Sequence, residues 1–196
     1  MNYTMNQKVI LTDCDGVLMD WLYGFSNWMR DQHGLTTVRY DTYDIGLTYG
    51  VETARAKNLV KEFNASASIA YLTPFRDAVK YVRKLHEEHG YVFHCITSLS
   101  LDEAAYKARK FNLEQLFGKT AFEKLICLDT GADKDLALDP YSETYCTWIE
   151  DKPENAALGT QLGLDSILIH HDHNADYEGP EYRAYDWKEI YEYIIG

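Results

Sequence analysis

Four short stretches of this 196-residue chain hold residues that could do polar chemistry together. Asp13-Cys14-Asp15-Gly16 follows one apolar run and Thr97-Ser98 a second; Lys134 sits in a polar loop between Asp133 and Asp135, and Glu150-Asp151 follows a third run. If these ends meet, four acids, two hydroxyls and a lysine share one crevice. Acids gathered without matching cations repel, so a divalent cation is implied. Oxygen ligands suit magnesium, whose partial hydration leaves room for a phosphate. Each piece alone has a plainer reading. The acids are then solvated turn carboxylates, and Thr97 and Ser98 turn or cap residues. Lys134 becomes one solvated lysine beside Lys119 and Lys124, and Glu150-Asp151 a capping pair before Pro153. Their joint position must decide, and that depends on the elements carrying them.

Those elements alternate. Lys8 to Thr12, Tyr91 to Ile96, Lys124 to Leu128, Tyr145 to Ile149 and Ser166 to Ile169 read as short buried strands. Arg76 to His89 is an amphipathic helix, with Val79, Val82 and Leu85 on one side and Gly90 as a stop. Ser100 and Glu103 have the spacing of a capping box for the next helix. Pro153 and Gly163 bracket another helix, and Trp187 to Ile195 closes the chain. Strands separated by helices predict an α/β fold: a Rossmann-like parallel sheet with helices on both faces. Met19 to His33 and Glu52 to Phe63 are two helices with no strand between them, and Val38 to Gly50 is turn-rich and without period. The expected division is a core of 1–18 and 74–196, with 19–73 as a small helical cap over the sheet's C-terminal edge. Ligands of open α/β sheets bind at that edge.

Composition narrows the partners. Nineteen basic and 31 acidic residues give a net charge of −12, which disfavours polymeric nucleic acid. There is no apolar run of about 18 residues, so no membrane span is expected. Met1 to Lys8 is polar, unlike a secretory leader, and the four cysteines lack a CxxC spacing. Reduced thiols in a cytoplasmic protein are the expectation. Five tyrosines between Asp172 and Ile195 suit a core or the interface of a homodimer equally.

The pieces Val9 to Val17, Cys95-Ile96-Thr97-Ser98, Lys134 and Trp148-Ile149-Glu150-Asp151 resemble, in order, the four motifs of the haloacid dehalogenase superfamily. The fourth reads Glu-Asp rather than Asp-Asp. Asp13 to Trp21, Thr97-Ser98-Leu99, Ile149 to Lys152, Ile167 to Ile169 with His173-Asn174, and Trp187 to Ile190 extend the resemblance to its deoxyribonucleotidase branch. The stretch from about Arg39 to Ala70 matches poorly.

The resemblance implies a magnesium-dependent phosphatase acting through a phosphoaspartyl intermediate. Asp13 is then the nucleophile and Asp15 the general acid–base. The ion would be held by Asp13, the Asp15 carbonyl and Asp151, with Glu150 direct or through water. Thr97 and the Ser98 N–H would hold a phosphate oxygen, and Lys134 would sit between Asp13 and the phosphate. The implied substrate is a small phosphorylated molecule, foremost a nucleoside 5'-monophosphate. A sugar phosphate, and an inactive binding module on the same fold, stand as alternatives. In that branch Trp21 corresponds to an aromatic that stacks on the base. Its spacing with Phe25 and Trp28 equally suits a packed helix face. Phe75 is ambiguous in the same way. His170, His171 and His173 resemble a transition-metal cluster, yet loop histidines, or one near the substrate, are the better reading of their position directly after a strand.

Overall fold

The computed structural model describes residues 8–39 and 42–196. The polar N-terminal stretch, apart from Lys8, and Tyr40-Asp41 of the turn-rich segment lie outside them. Six parallel strands form one sheet: β1 (Val9–Thr12), β2 (Val92–Thr97), β3 (Phe122–Cys127), β4 (Thr147–Glu150), β5 (Asp165–Ile169) and β6 (Tyr182–Ala184). Their order is β3-β2-β1-β4-β5-β6. The chain winds outward from β1 through β2 to β3, then crosses back to β4 on β1's other side. The switch point lies between β1 and β4, where adjacent connections depart in opposite directions and leave a crevice.

Alternation along β1 explains the two-faced core. Ile10 packs into a cluster with Phe93, Cys95, Ile149 and Ile167. Its neighbour Leu11 points the other way, onto Ile96, Trp148, Leu138 and Tyr141. Helices cover both faces: α1 (Trp21–His33), α2 (Ile45–Tyr49), α3 (Thr53–Asn64), α4 (Ala78–Glu87), α5 (Glu103–Phe117), α6 (Asp135–Leu138), α7 (Pro153–Gln161) and α8 (Trp187–Ile195). On the Leu11 face α7 approaches the sheet closely. A Cβ on Gly159 would lie 2.4 Å from the Trp148 ring and 2.6 Å from the Ser166 hydroxyl.

Three differences from the sequence reading have local causes. A sixth strand exists, too short and too polar (Tyr182-Arg183-Ala184) to register as an apolar run. A five-residue helix, α2, occupies part of the turn-rich segment, capped by the Asp44 carboxylate on the Leu47 N–H. The expected capping box does not form. Asp102 caps α5 by accepting from the Ala104 N–H at 2.6 Å, while the Ser100 hydroxyl accepts from the Asp102 N–H at 3.1 Å.

The segment between β1 and α4 leaves and rejoins the sheet at one place. Met19 bridges to Pro74, the Asp20 N–H donates to the Thr73 carbonyl and the Phe75 N–H donates to the Leu18 carbonyl, both at 2.9 Å. Its apolar side is continuous with the core, because Phe25, Met29 and Phe63 join the Ile10 cluster. Two buried amides tie it down further. Asn64 donates to the Leu99 carbonyl at 3.0 Å, and Asn112 of α5 donates to the Leu72 carbonyl at 3.1 Å. It therefore stands over the C-terminal ends of β1 and β2.

Candidate active site

Register brings the acids together. Thr12 pairs with Ile149, so Asp13 and Glu150 emerge side by side at the switch point, and the Asp13 N–H donates to the Ile149 carbonyl at 2.9 Å. Asp13, Glu150 and Asp151 each place a carboxylate oxygen within 4.8 Å of the others, and all three are buried. Lys134, at the N-terminus of α6, bonds Asp13 Oδ1 at 2.7 Å and Glu150 Oε2 at 2.6 Å. One lysine against three carboxylates leaves two charges uncompensated. The titration behaviour reflects that excess. Burial, then Glu150, push Asp13 up to about 7 despite Lys134. Burial, then Glu150 and Asp13, push Asp151 well above the usual carboxylate range. For Lys134, burial alone would lower the pKa, but Asp13 and Glu150 raise it, so it remains charged.

The acids are not equally free. Glu150 accepts from Lys134, from the Asp151 and Lys152 N–H groups at 3.2 and 3.1 Å, and from Asn155. Its carboxylate is already occupied in holding the β4–α7 turn. Among the described residues the one ion-pair partner near an Asp151 carboxylate oxygen is His173 Nε2, at 3.5 Å; the Glu150 and Asp13 carboxylates are also its neighbours. Gly16 makes room for it. With φ at +79°, its missing Cβ would otherwise lie 2.6 Å from Asp151 Oδ2. Three converging oxygen donors with surplus negative charge and low exposure are the donor set a hard divalent cation takes. The residues present fit magnesium.

Asp15 lies on the other side of the Asp13 turn. Arg109, fully buried on α5, brings Nη2 to 2.6 and 2.9 Å from its two oxygens and donates from Nη1 to Cys14 Sγ at 3.1 Å. Burial raises the Asp15 pKa, and Arg109 opposes that rise. Arg109 was absent from the sequence reading. Its signal was present, since α5 buries Ala105, Leu113 and Phe117 on a stripe that also carries Arg109 and Asn112. A charge on a buried stripe needs a partner, but the stripe does not name it.

Thr97 ends β2 fully buried, one residue beyond the level of Asp13. Ser98 donates its hydroxyl to the Ala132 carbonyl at 2.8 Å, so only its backbone N–H serves the expected anion contact. Above these residues opens a cavity of about 890 Å³. Asp15, Gly16, Ser98 and Asp151 line it from the sheet; Trp21, Tyr43, Lys57, Lys61 and Asn64 line it from the inserted segment.

The two aromatics assigned to ligand stacking are already engaged. Trp21 stacks on Phe25 at 4.6 Å and 14°, meets Phe63 edge-on and donates Nε1 to Asn64 Oδ1 at 3.0 Å. One face and its polar edge are spent on packing. Phe75 stacks on His171 at 4.7 Å, with the Arg76 guanidinium 4.4 Å from its ring centroid. The histidines enter no metal-ligand cluster among the described residues. His171 meets the Gly16 carbonyl at 2.7 Å, and His173 and Asn174 reach the Asp151 carbonyl at 3.2 and 2.7 Å. Burial lowers the His171 pKa to about 4. The loop after β5 thus braces the Asp13–Gly16 and Asp151 turns. Tyr43, also missed from sequence, packs edge-on against His173 at 5.1 Å.

No protein-family model matches the chain. It is 29% identical over 136 residues to an uncharacterized 32.4 kDa protein from the Gp30–rIII intergenic region of Enterobacteria phage T4. That alignment covers 66% of this chain and 48% of the phage protein, so the chain spans about half the length of that curated relative. Among solved structures, a haloacid dehalogenase-like hydrolase, SP0104 of Streptococcus pneumoniae, superposes with TM-score 0.66 at 15% identity, over 97% of this chain and 100% of that one. D,D-heptose 1.7-bisphosphate phosphatase from B. bronchiseptica, complexed with magnesium and phosphate, gives 0.59 at 9%, over 96% and 98%. The L-2-haloacid dehalogenase of Xanthobacter autotrophicus gives 0.57 at 11%, over 97% and 99%. Phosphatase and dehalogenase share this architecture, so the likeness speaks to the scaffold and leaves the chemistry to the site. With the 3-2-1-4-5-6 parallel order, it establishes that the chain has the haloacid dehalogenase-like α/β fold.

Proposed function

We propose that this chain is a magnesium-dependent phosphomonoesterase that acts through a phosphoaspartyl intermediate on a nucleoside 5'-monophosphate. The observation that carries the reading is the convergence of Asp13, Glu150 and Asp151 around one lysine, with a second acid, Asp15, lining the cavity beside them.

Lys134 holds Asp13 Oδ1 and so leaves the other oxygen to attack phosphorus. That oxygen forms the new P–O bond as the ester P–O bond breaks, and Asp15 gives the departing alkoxide its proton. In the second half Asp15 takes a proton from water, whose oxygen attacks phosphorus and releases Asp13 with free phosphate. Asp151, with Asp13 and the Asp15 carbonyl, would hold the magnesium; Glu150 acts chiefly by fixing Lys134 and the β4–α7 turn. The bound ion supplies charge neutralisation at the phosphoryl oxygens. Thr97 and the Ser98 N–H would meet one of those oxygens.

The dehalogenase alternative differs at Asp15. A halide leaves as a stable anion and needs no proton, whereas an alkoxide does. A second acid at the cavity and a surplus of carboxylates favour the ester. For the nucleotide, support comes from the cavity, whose 890 Å³ lies within the range that encloses a small ligand, and from the remaining face of Trp21. The test is phosphate release from a panel of nucleoside monophosphates, sugar phosphates and an aryl phosphate, with magnesium and with chelator. Turnover without a divalent ion overturns the metal role. Sugar phosphates outpacing every nucleotide overturns the substrate.

A further inference from the structure

The cations around the cavity divide into two kinds. Lys134 and Arg109, beneath the floor, are buried and already bonded to Asp13, Glu150 and Asp15. Among the described residues, Lys57 and Lys61 are the only Lys or Arg on the cavity wall itself. Both are exposed, and neither has an ion pair or hydrogen bond among the described residues. Four other helix lysines have an acid at four-residue spacing: Lys84 with Glu88, Lys107 with Glu103, Lys110 with Glu114 and Lys188 with Glu192. Around Lys57 and Lys61 no acid stands three or four residues away in either direction. They face each other at i,i+4, a like-charge spacing that disfavours the helix. In a chain of net charge −12, two cations without an ion pair among the described residues thus stand side by side on a cavity wall.

Their position along α3 matters as much as their charge. Asn64, at the C-terminal end of α3, is anchored to Leu99 beside the floor. At 1.5 Å per residue, Lys61 and Lys57 lie about 4.5 and about 10.5 Å along the axis from that anchor. Both line the same cavity, one helical turn apart along α3 and at increasing distance from that anchor.

We propose that Lys57 and Lys61 form a subsite for a second anionic group of the substrate, a phosphate or carboxylate at the end remote from the phosphoryl group attacked by Asp13. This rests on the phosphatase reading for the identity of the first anion. It refines the substrate from a plain monoester to a molecule with two separated anionic groups, of which a nucleoside bisphosphate is one example.

Calorimetry with the magnesium-loaded chain can test it without turnover. The probes are alkyl monophosphonates and α,ω-alkyl bisphosphonates of matched length, scanned from three to eight methylenes. One charge-assisted contact corresponds to roughly 10- to 150-fold in affinity. The best bisphosphonate should therefore bind at least tenfold more tightly than its monophosphonate. In Lys57→Gln/Lys61→Gln that advantage should fall below about threefold, and in Lys57→Arg/Lys61→Arg it should persist. Gln and Arg are good helix formers, so α3 is preserved. No advantage at any length, no binding of either probe, or an advantage that survives in the Gln pair overturns the subsite. Equal weakening of both probes assigns the lysines to general attraction and also overturns it. Loss of the phosphatase reading shows separately, as absent aryl phosphate hydrolysis, and leaves the bisphosphonate comparison decisive on its own terms.

Discussion

Replacing Arg109 by Met removes the cation that is ion-paired with the Asp15 carboxylate, while the methionine fills most of the vacated space. Three contacts disappear: two from Nη2 to Asp15, at 2.6 and 2.9 Å, and one from Nη1 to Cys14 Sγ at 3.1 Å. Arg109 is completely buried, so water cannot replace it. Removing one partner of a buried pair costs about 3–5 kcal/mol, because the other charge is stranded. For a chain of this size each kcal/mol moves Tm by about 2–4 °C, so Arg109→Met should melt roughly 6–20 °C below the parent. Urea unfolding in chelator, followed by tryptophan fluorescence, measures the same loss.

The sharper arm is the double variant Asp15→Asn/Arg109→Met, which removes both charges. It should recover at least about 2 kcal/mol of the single variant's deficit, since neutral replacements of buried pairs are often tolerated. The deficit of Arg109→Met should also narrow at low pH. Burial already raises the folded Asp15 pKa above its unfolded value. Without Arg109 it rises further, so the variant regains stability as pH falls through that folded pKa and the stranded charge is protonated. A double variant as unstable as the sum of its singles, or a pH-independent deficit, refutes the idea that Arg109 is there to balance Asp15.

Further outcomes follow from the same geometry. Asp13→Asn should abolish aryl phosphate turnover, seen as no phosphate release, while leaving the circular dichroism spectrum unchanged. Burial holds the folded Asp13 near pH 7, above its ordinary 3.8, so in metal-free protein its stabilising protonation is lost as pH rises from about 4 to about 7. Magnesium competes with that proton, so the magnesium-induced rise in Tm should be larger at pH 8 than at pH 5.5; equal rises would exclude Asp13 as a ligand. Trp21→Ala should raise KM for a nucleotide more than for an aryl phosphate, by up to the 5- to 150-fold that about 1–3 kcal/mol of stacking supplies; equal losses assign Trp21 to packing alone. Gly159→Ala should destabilise by about 1–3 kcal/mol in urea, because its Cβ would meet the Trp148 ring at 2.4 Å.

How much of this was legible in the sequence depends on how local each cause is. The strand ends were readable because β1, β2, β4 and β5 are apolar runs that stop at polar residues, and strand ends are where an open sheet presents its ligands. Asp13, Thr97 and Glu150-Asp151 were therefore gathered at one edge without knowing a contact, while Lys134, in a loop, was assigned its role only through the motif resemblance. The strand β6 was not readable, since three residues with one buried side chain carry no periodic signal. Trp21 was ambiguous for a physical reason. Position 21 faces both the cavity and Phe25, and which surface of the ring is covered depends on where α3 puts Phe63 and Asn64.

The cations show where such reading ends. Lys134, Arg109, Lys57 and Lys61 are four positive charges near one cavity, and of these the sequence singled out Lys134 alone, through the motif resemblance. Their fates come from chain distance. Lys134 meets a carboxylate 121 residues earlier and another 16 residues later, and Arg109 one 94 residues earlier. Both are neutralised by carboxylates that the fold brings to them. Lys57 and Lys61 have no acid three or four residues away, and among the described residues the fold gives them no ion pair. The lack of an acid at three- or four-residue spacing was visible in the sequence; the fold adds no distant ion-pair partner among the described residues. An unpaired charge in solvent is ordinary, but two on the wall of an otherwise acidic cavity set the sign of what that wall can bind.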